Sequence, residues 1–535
     1  MRQRRGWRAF ARPDIKPAAG SPLRHLLAAT ALTLAAALPA RAADKAPDPN
    51  ATLIYFDAVS NQTLDPQEPQ NNSSFAQGVL MAIYDSLVRL APDGEPKPGL
   101  AESWHYNEDL TEITFTLRKG VTFHDGTPFN AAAVAKNFER SMALGPKAGG
   151  VTIETFTQVA GYEVVDDSTV RVKLKARSGQ MPYLFGTQAG MMISPAVLSD
   201  TAFGATLKPI GTGPYRVTGF DSNVRTQTRR NDAYWEGIEG RPAGFEHNFV
   251  SDARARLNAL RSGQANLALI EPRQIAEAKD AGFAVQINEK NSTWEIGLNT
   301  SHETVGKLKL RQAMMHAIDR EALADALGYG ASKPTVQFFA QSSPWFDPAL
   351  EKLFPYDPDK ARKLVAEAGY PKGVDISWLL LNTTEYKTMG EAVQSMLQEV
   401  GIRVKFDTVD VSQYTLFRRP APGRGDVLMV RWGGRPDPLM TFQEFISGKA
   451  NPWGAVVPEI DTLIDQARAM APSDPKRAEV IHKLSRVATE QVAHMTLMTR
   501  SNVYAYKPGC VTNLPAYLPT GNDRMNDTRV GMGCK

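Results

Sequence analysis

The sequence predicts an α/β protein with more than one hydrophobic core. The chain has 535 residues, of which 42% are hydrophobic and 22% are charged, so it is too apolar for intrinsic disorder and long enough for two or more domains. Apolar and polar residues alternate with a period of two within residues 100–175, which is typical of half-buried strands. After Asp357 the pattern changes to strand, helix and strand, which is typical of a parallel βαβ unit.

The positive charge of the chain lies at its N-terminus. The formal net charge is +4, but residues 1–42 alone carry eight basic residues and one acidic residue. The remaining 493 residues have 53 basic and 56 acidic side chains, a net charge of −3. A chain-wide basic surface is therefore excluded, and we expect no nucleic-acid partner.

Residues 1–42 have the features of a signal peptide. Residues 26–38 are almost purely Leu, Ala and Thr, and Ala40-Arg41-Ala42 places small residues around a cleavage position. An apolar run of about 13 residues is too short to cross a hydrocarbon core of about 30 Å as a helix. We therefore predict cleavage after Ala42 and a periplasmic location for the remaining chain.

Cys510 and Cys534 are the only cysteines in the sequence. An exported protein meets an oxidising compartment, where an even number of cysteines favours disulfides. We predict a disulfide between these two residues, with two free thiols as the alternative. Redox catalysis is disfavoured because the sequence has no CxxC pair.

The first half of the exported chain is predicted to contain a strand-rich α+β unit. Residues 113–117 and 170–174 show the period-two alternation of strands. Between them, Asn130 is a typical N-cap at the start of a helix. The apolar face of that helix is predicted to consist of Val134, Phe138 and Met142.

The second half has the pattern of a βαβ crossover. Asp357-Pro358 is an N-cap followed by proline at the first helical position. The apolar strand predicted at residues 376–381 precedes a second helix that ends at Gly401, and residues 402–406 then alternate as a strand. Two strands separated by a helix of this length are expected to be parallel.

The best candidate for a binding site follows the apolar run at residues 427–430. Such a run suits a central parallel strand that is covered on both faces, and ligands of open α/β sheets bind at the carboxyl ends of such strands. Gly433 and Gly434 permit close backbone approach there. Trp432 offers a flat apolar face, and Arg435 offers a cationic fork that suits an anion. Two alternatives to ligand contact remain open. Trp432 could be a core residue, and Arg435 could form an ion pair with Asp437.

Several segments resemble one protein family. They are LAESWH at 100–105, TFTLRKGVTFHDGTPF at 114–129, GTGPY at 211–215, RNDAYW at 230–235, LNT at 298–300, LRQA at 310–313, AIDREA at 317–322, YDPDKARKL at 356–364, AGYP at 368–371 and VGIRV at 400–404. Together they resemble the extracellular solute-binding proteins of family 5, the peptide, oligopeptide and nickel receptors of ABC importers. The resemblance covers nearly all of residues 43–510.

The resemblance implies an α/β, two-lobed periplasmic-binding-protein fold of type II, cluster C-like. Lobe I would comprise residues 43–290 together with the C-terminal return at 500–535, and an extra strand-rich α+β subdomain would lie at about 88–205. Lobe II would comprise residues 291–499. The expected protein is a monomer that captures a solute between its lobes and delivers it to the ABC permease membrane subunits. We expect no cofactor and no enzymatic activity.

The resemblance also suggests which residues contact the solute. In peptide receptors of the family, an Asp shortly after the loop Trp binds the ammonium group, but here Gly433-Gly434-Arg435 occupies that stretch. Dipeptide receptors place an Arg after the first strand of lobe II, whereas residues 382–385 here are Asn-Thr-Thr-Glu. We therefore expect an anionic solute, either a modified peptide or a small organic acid. Further contacts are expected from Asn72, Ser73 and Tyr414.

Two other functions are weighed against a peptide receptor. Nickel receptors of the family share a short Trp-Gly loop, but no histidine lies between Trp432 and Trp453 and no spacing of His, Cys and carboxylates indicates a metal site. A secreted hydrolase is disfavoured because GxSxG and HExxH motifs are both missing. Peptide-like cargo is the favoured interpretation.

Overall fold

A computed structural model describes residues 44–68, 77–198, 208–410, 425–435, 437–448, 457–514 and 528–534. These residues form a mixed α/β structure with one ten-stranded sheet, one four-stranded sheet and two sheets of two strands each. In chain order the helices are α1 (Gln77–Ile83), α2 (Ala131–Leu144), α3 (Gly150–Gln158), α4 (Met181–Leu184), α5 (Ala253–Ser262), α6 (Ile275–Asp280), α7 (Leu308–Ala317), α8 (Arg320–Gly328), α9 (Pro358–Glu367), α10 (Thr384–Glu399), α11 (Pro438–Ile446), α12 (Pro458–Arg468) and α13 (Pro475–Glu490).

The strands range from two to fifteen residues in length. In chain order they are β1 (Thr52–Asp57), β2 (Val88–Leu90), β3 (Pro96–Pro98), β4 (Ala101–Tyr106), β5 (Glu112–Leu117), β6 (Val159–Asp166), β7 (Thr169–Leu174), β8 (Tyr215–Asp221), β9 (Arg225–Arg230), β10 (Gly244–Phe249), β11 (Leu267–Ile270), β12 (Ala284–Leu298), β13 (Val374–Leu381), β14 (Ile402–Val409), β15 (Val427–Gly433), β16 (Met495–Tyr506), β17 (Val511–Thr512) and β18 (Arg529–Val530).

Two long strands, β12 and β16, lie at the centre of the large sheet. The spatial order is β14-β13-β15-β12-β16-β11-β1-β10-β9-β8. One hydrophobic core covers the strands on the β14 side, and other cores cover those on the β8 side. The antiparallel pair β12–β16 therefore joins two groups of strands that are covered by different cores.

The predicted βαβ unit is confirmed. Strands β13 and β14 are parallel, with Val374 opposite Ile402, and α10 connects them. Helix α9 begins where the sequence predicts, because the side chain of Asp357 accepts a hydrogen bond of 2.8 Å from the N–H of Lys360. Residues 427–430 were predicted to form a central parallel strand. Their strand, β15, is parallel to its neighbour β13 but antiparallel to its other neighbour β12, so the prediction is correct for one of the two neighbours.

The strand-rich unit in the first half is a four-stranded antiparallel sheet. Its order is β4-β5-β7-β6, and α2 packs against it. Asn130 caps α2 as predicted, accepting from the N–H of Ala133 at 3.1 Å. Val134 and Phe138 are buried, but Met142 is 38% exposed, so the predicted apolar face is shorter by one turn.

The C-terminal segment is fastened to the β8 side of the molecule. A disulfide joins Cys510 to Cys534, as predicted. Both residues are nearly buried within the core that includes Leu53 and Tyr504. Within the described residues, no helix has the length and apolar character needed to cross a membrane.

Candidate functional site

The candidate loop connects the end of β15 to the start of α11. Gly433 is the last residue of β15 and lies opposite Ser292 of β12. Asp437 is the N-cap of α11, and its carboxylate accepts from the N–H of Leu439 at 3.0 Å. The short connection between these fixed points places Trp432 and Arg435 at the carboxyl end of a buried strand.

Trp432 is packed rather than open. It is 5% exposed, and the ring of Phe445 meets it edge-on at a centroid distance of 4.0 Å. The guanidinium of Arg435 lies over the indole at 4.5 Å from the ring centroid, within cation–π range. A solute approaching this face of the loop would therefore meet Arg435 before Trp432.

Arg435 forms an ion pair with Glu444 of α11. Its Nε and Nη2 atoms donate to Glu444 Oε2 at 2.7 and 2.5 Å. The alternative in which Arg435 pairs with Asp437 is wrong, because Asp437 accepts two hydrogen bonds from Arg477 at 2.8 and 2.7 Å. Both members of the Arg435–Glu444 pair are half-buried, with side-chain exposures of 22% and 30%.

A cavity of about 650 Å³ opens beside this ion pair. One wall consists of α3 and residues 175–180, and the other consists of Arg435, α11 and the end of α12. Its charged lining residues are Glu154, Lys175, Arg177, Arg435, Glu444 and Arg468. Four cations face two carboxylates in this lining, and Arg177 and Arg468 also pair with Asp109 and Asp465 outside it. The lining itself therefore carries an excess of positive charge, which favours a solute with negative charge.

The charge of the cavity is more positive than this composition suggests. Burial raises the pKa of Glu154 from its ordinary value of 4.5 to about 7, an effect that Arg435 opposes and Glu444 reinforces. Glu154 is therefore largely uncharged at mildly acidic pH and partly charged at neutral pH. Sequence reasoning missed this residue because its partners lie almost 300 positions away along the chain.

Known proteins identify the family. The family model described as "Bacterial extracellular solute-binding proteins, family 5 Middle" matches residues 95–453. The chain belongs to family 5 of the bacterial extracellular solute-binding proteins. The family 5 protein is 30% identical over 361 residues to the glutathione-binding protein GsiB of Salmonella choleraesuis, covering 66% of this chain and 68% of GsiB.

Solved structures share the fold of this family 5 protein. NikA from Brucella suis, in complex with Fe(III)-EDTA, is 26% identical with a TM-score of 0.75, over 86% of this chain and 96% of NikA. AgaA from A. tumefaciens R10, in complex with agropinic acid, is 25% identical with a TM-score of 0.73, over 90% and 99% of the two chains. The predicted two-lobed periplasmic-binding-protein fold is thereby confirmed. The family consists of binding proteins of ABC importers and not of enzymes, as expected.

The remaining predicted contacts stay predictions. Asn72, Ser73 and Tyr414 lie outside the described residues of this family 5 protein. Gly434 is buried and Gly433 is half-buried at the start of the loop. Of the residues that the sequence singled out, Arg435 is the one that lines the cavity of 650 Å³.

Proposed function

We propose that this family 5 protein is the periplasmic receptor for a small anionic, peptide-like solute, which it delivers to an ABC permease. The solute would bind between lobe I, at residues 43–290 and 500–535, and lobe II, at residues 291–499. Residues 1–42 would serve as the signal peptide for export. Closure of the lobes around the solute would create the state that the permease recognises.

The observation that carries this proposal is the excess of cations around the cavity beside Arg435. Lys175 and Arg177 approach from one wall, and Arg435 and Arg468 approach from the other. A guanidinium can bind a carboxylate through two parallel hydrogen bonds, which gives both affinity and orientation. An anion between the walls would contact both, so it would favour the closed state.

The ligands of the relatives support an anionic cargo. Glutathione is a tripeptide with two carboxylates, agropinic acid is an organic acid, and EDTA is a polycarboxylate. The volume of about 650 Å³ suits a solute of this size. Glutathione is therefore the first probe to test.

A metal chelate is the second candidate, and the likeness to NikA with Fe(III)-EDTA favours it. Among the described residues, no cluster of three or more His, Cys, Asp or Glu side chains could hold a metal ion. Within that part of the chain, a chelate would be recognised through its organic carboxylates. Such recognition uses the same cations as a peptide-like anion.

Isothermal calorimetry with glutathione tests the proposal. The Arg435→Ala variant should bind glutathione at least tenfold more weakly than the wild type, because a charged hydrogen-bond donor to the ligand is lost. Arg403→Ala is the control, since Arg403 pairs with Asp375 on the exposed edge strand β14. Equal affinity of Arg435→Ala and the wild type would remove Arg435 from the site. A wild type that binds neither glutathione, other acidic peptides nor EDTA chelates would refute the proposed cargo.

A further inference from the structure

Arg500 occupies a special position in the two central strands of the large sheet. In the pairing of β12 with β16, Glu289 lies opposite Ser501 and Thr293 lies opposite Thr499. Residues 290–292 of β12 therefore bulge opposite the single residue Arg500 of β16. Bulges of this kind redirect side chains and are common next to binding sites.

Arg500 lies close to the candidate loop. Ser292 is opposite Gly433, and Arg500 Nη1 donates to Ser292 Oγ at 3.4 Å. Ser292 Oγ in turn donates to the carbonyl oxygen of Trp432 at 2.5 Å. Gly433, Ser292 and Arg500 therefore form a row across three strands, where β15 ends.

Two other buried arginines, Arg311 and Arg320, donate to several backbone carbonyl oxygens each. Arg311 donates to the carbonyl oxygens of Val305, Gly306, Gln491 and Val492 at 2.7–3.1 Å. Arg320 likewise donates to carbonyl oxygens of Met315, Ile318 and Thr496. By contrast, within the described residues the side chain of Arg500 makes one hydrogen bond, the long contact of 3.4 Å with Ser292 Oγ. Its guanidinium is thus left with donors for another partner.

The surroundings of Arg500 carry more positive than negative charge. Burial, together with the neighbouring Arg431, lowers the pKa of Arg500 to about 10, and Glu385 opposes this shift. Glu385 is already paired with Arg431, whose Nη1 donates to Glu385 Oε2 at 2.6 Å. One carboxylate thus faces two guanidiniums. Arg500 itself is half-buried and Arg431 is exposed, so an incoming anion can reach this group from solvent.

We propose that Arg500 binds a carboxylate of the solute and forms a second anion subsite, on the other side of the loop from Arg435. Side chains of successive strand residues point to opposite faces, so Arg431 and Trp432 project to different sides of β15. Arg435 lies on the Trp432 side, and Arg500 lies on the side of Arg431 and Trp294. This inference rests on the proposed function, and it implies a preference for solutes with two anionic groups.

Two variants and one control test the role of Arg500 by calorimetry with glutathione. Arg500→Gln should weaken binding at least tenfold, and Arg500→Lys should restore part of the loss because it keeps the charge without the fork. Arg403→Gln should bind like the wild type. Thermal unfolding of each variant shows whether it is folded.

A nuclear magnetic resonance titration of the wild type separates this inference from the proposed cargo. The Nε–H signal of Arg500, assigned by its loss in Arg500→Lys, should shift saturably with sodium acetate but not with sodium chloride at equal ionic strength. A saturable acetate shift without glutathione binding would retain the anion subsite and refute glutathione as cargo. Unchanged glutathione affinity in Arg500→Gln, or an Arg500 signal that neither acetate nor glutathione moves, would overturn the subsite.

Discussion

The guanidinium of Arg477 donates to both carboxylate oxygens of Asp437, at 2.8 and 2.7 Å, and the two side chains are 1% and 0% exposed. The same carboxylate caps the start of α11 by accepting from the N–H of Leu439. One buried acid therefore fixes the end of the candidate loop and attaches it to α13. Because Asp437 pairs with Arg477, Arg435 pairs with Glu444 instead, and both of these residues line the cavity.

Removal of Asp437 should strongly destabilise the protein. Asp437→Ala leaves Arg477 buried without a counter-charge, which typically costs about 3–5 kcal/mol. Asp375→Ala is the control, because it breaks an exposed ion pair with Arg403 and should cost less than about 1 kcal/mol. Urea denaturation measures both values. Equal losses for the two variants would contradict a special role for the buried pair.

The stability of the protein should depend on pH through Glu154. Burial raises the pKa of this carboxyl from 4.5 to about 7, so the folded protein binds more protons than the unfolded chain between these values. The contribution of Glu154 to the free energy of unfolding should therefore be present below pH 4.5 and be lost as pH rises towards 7, by up to about 3 kcal/mol.

Glu154→Gln isolates this contribution. The variant should be more stable than the wild type at pH 8 and should lose the difference at pH 4.5. Urea denaturation at the two pH values measures the effect, with Glu367→Gln, which removes an exposed partner of Lys309, as the control. A stability difference between Glu154→Gln and the wild type that is the same at both pH values would refute the assignment.

Local sequence signals predicted much of the fold. The side chains of Asn130 and Asp357 each accept a hydrogen bond from the N–H three residues further along the chain. The alternation in residues 113–117 reflects the burial of one face of β5. The family resemblance then supplied the two-lobed arrangement. These predictions succeeded because the physical interaction and the sequence pattern occupy the same short window.

The electrostatics of the candidate site could not be predicted in the same way. Asp437 finds Arg477 40 positions away, and Ser292 meets Arg500 208 positions away. Arg435 has acids at positions 437 and 444, and the choice between them depends on where α11 points after its cap. Asp437 was the nearer acid in sequence, but it is turned towards the buried Arg477.

The disulfide should contribute measurably to stability. It closes a loop with a sequence separation of 24 residues, which corresponds to about 3 kcal/mol in the chain-entropy treatment. The double variant Cys510→Ser/Cys534→Ser should be less stable by this amount in urea denaturation. A reducing agent should lower the stability of the wild type but not of the double variant. Free thiols titrated in the unreduced, denatured wild type would contradict the pairing.

Gly179 should limit how closely the two walls of the cavity approach. Its N–H donates to the carbonyl oxygen of Arg468 at 2.9 Å, and a Cβ atom added at Gly179 would lie 1.9 Å from the carbonyl oxygen of Met470. Gly179→Ala must therefore push residues 175–180 away from the end of α12. Because we propose that these walls close around the solute, the variant should bind glutathione at least tenfold more weakly.

Gly161→Ala is the matched control for this prediction, since a Cβ atom at Gly161 would meet nothing within 4 Å. Small-angle X-ray scattering should show that glutathione reduces the radius of gyration of the wild type and of Gly161→Ala more than that of Gly179→Ala. The ligand-free stability of Gly179→Ala decides between two explanations. If the walls separate in the open receptor, the ligand-free stability of Gly179→Ala should stay close to that of the wild type. A large loss of stability together with normal glutathione affinity would mean that the two walls are in permanent contact.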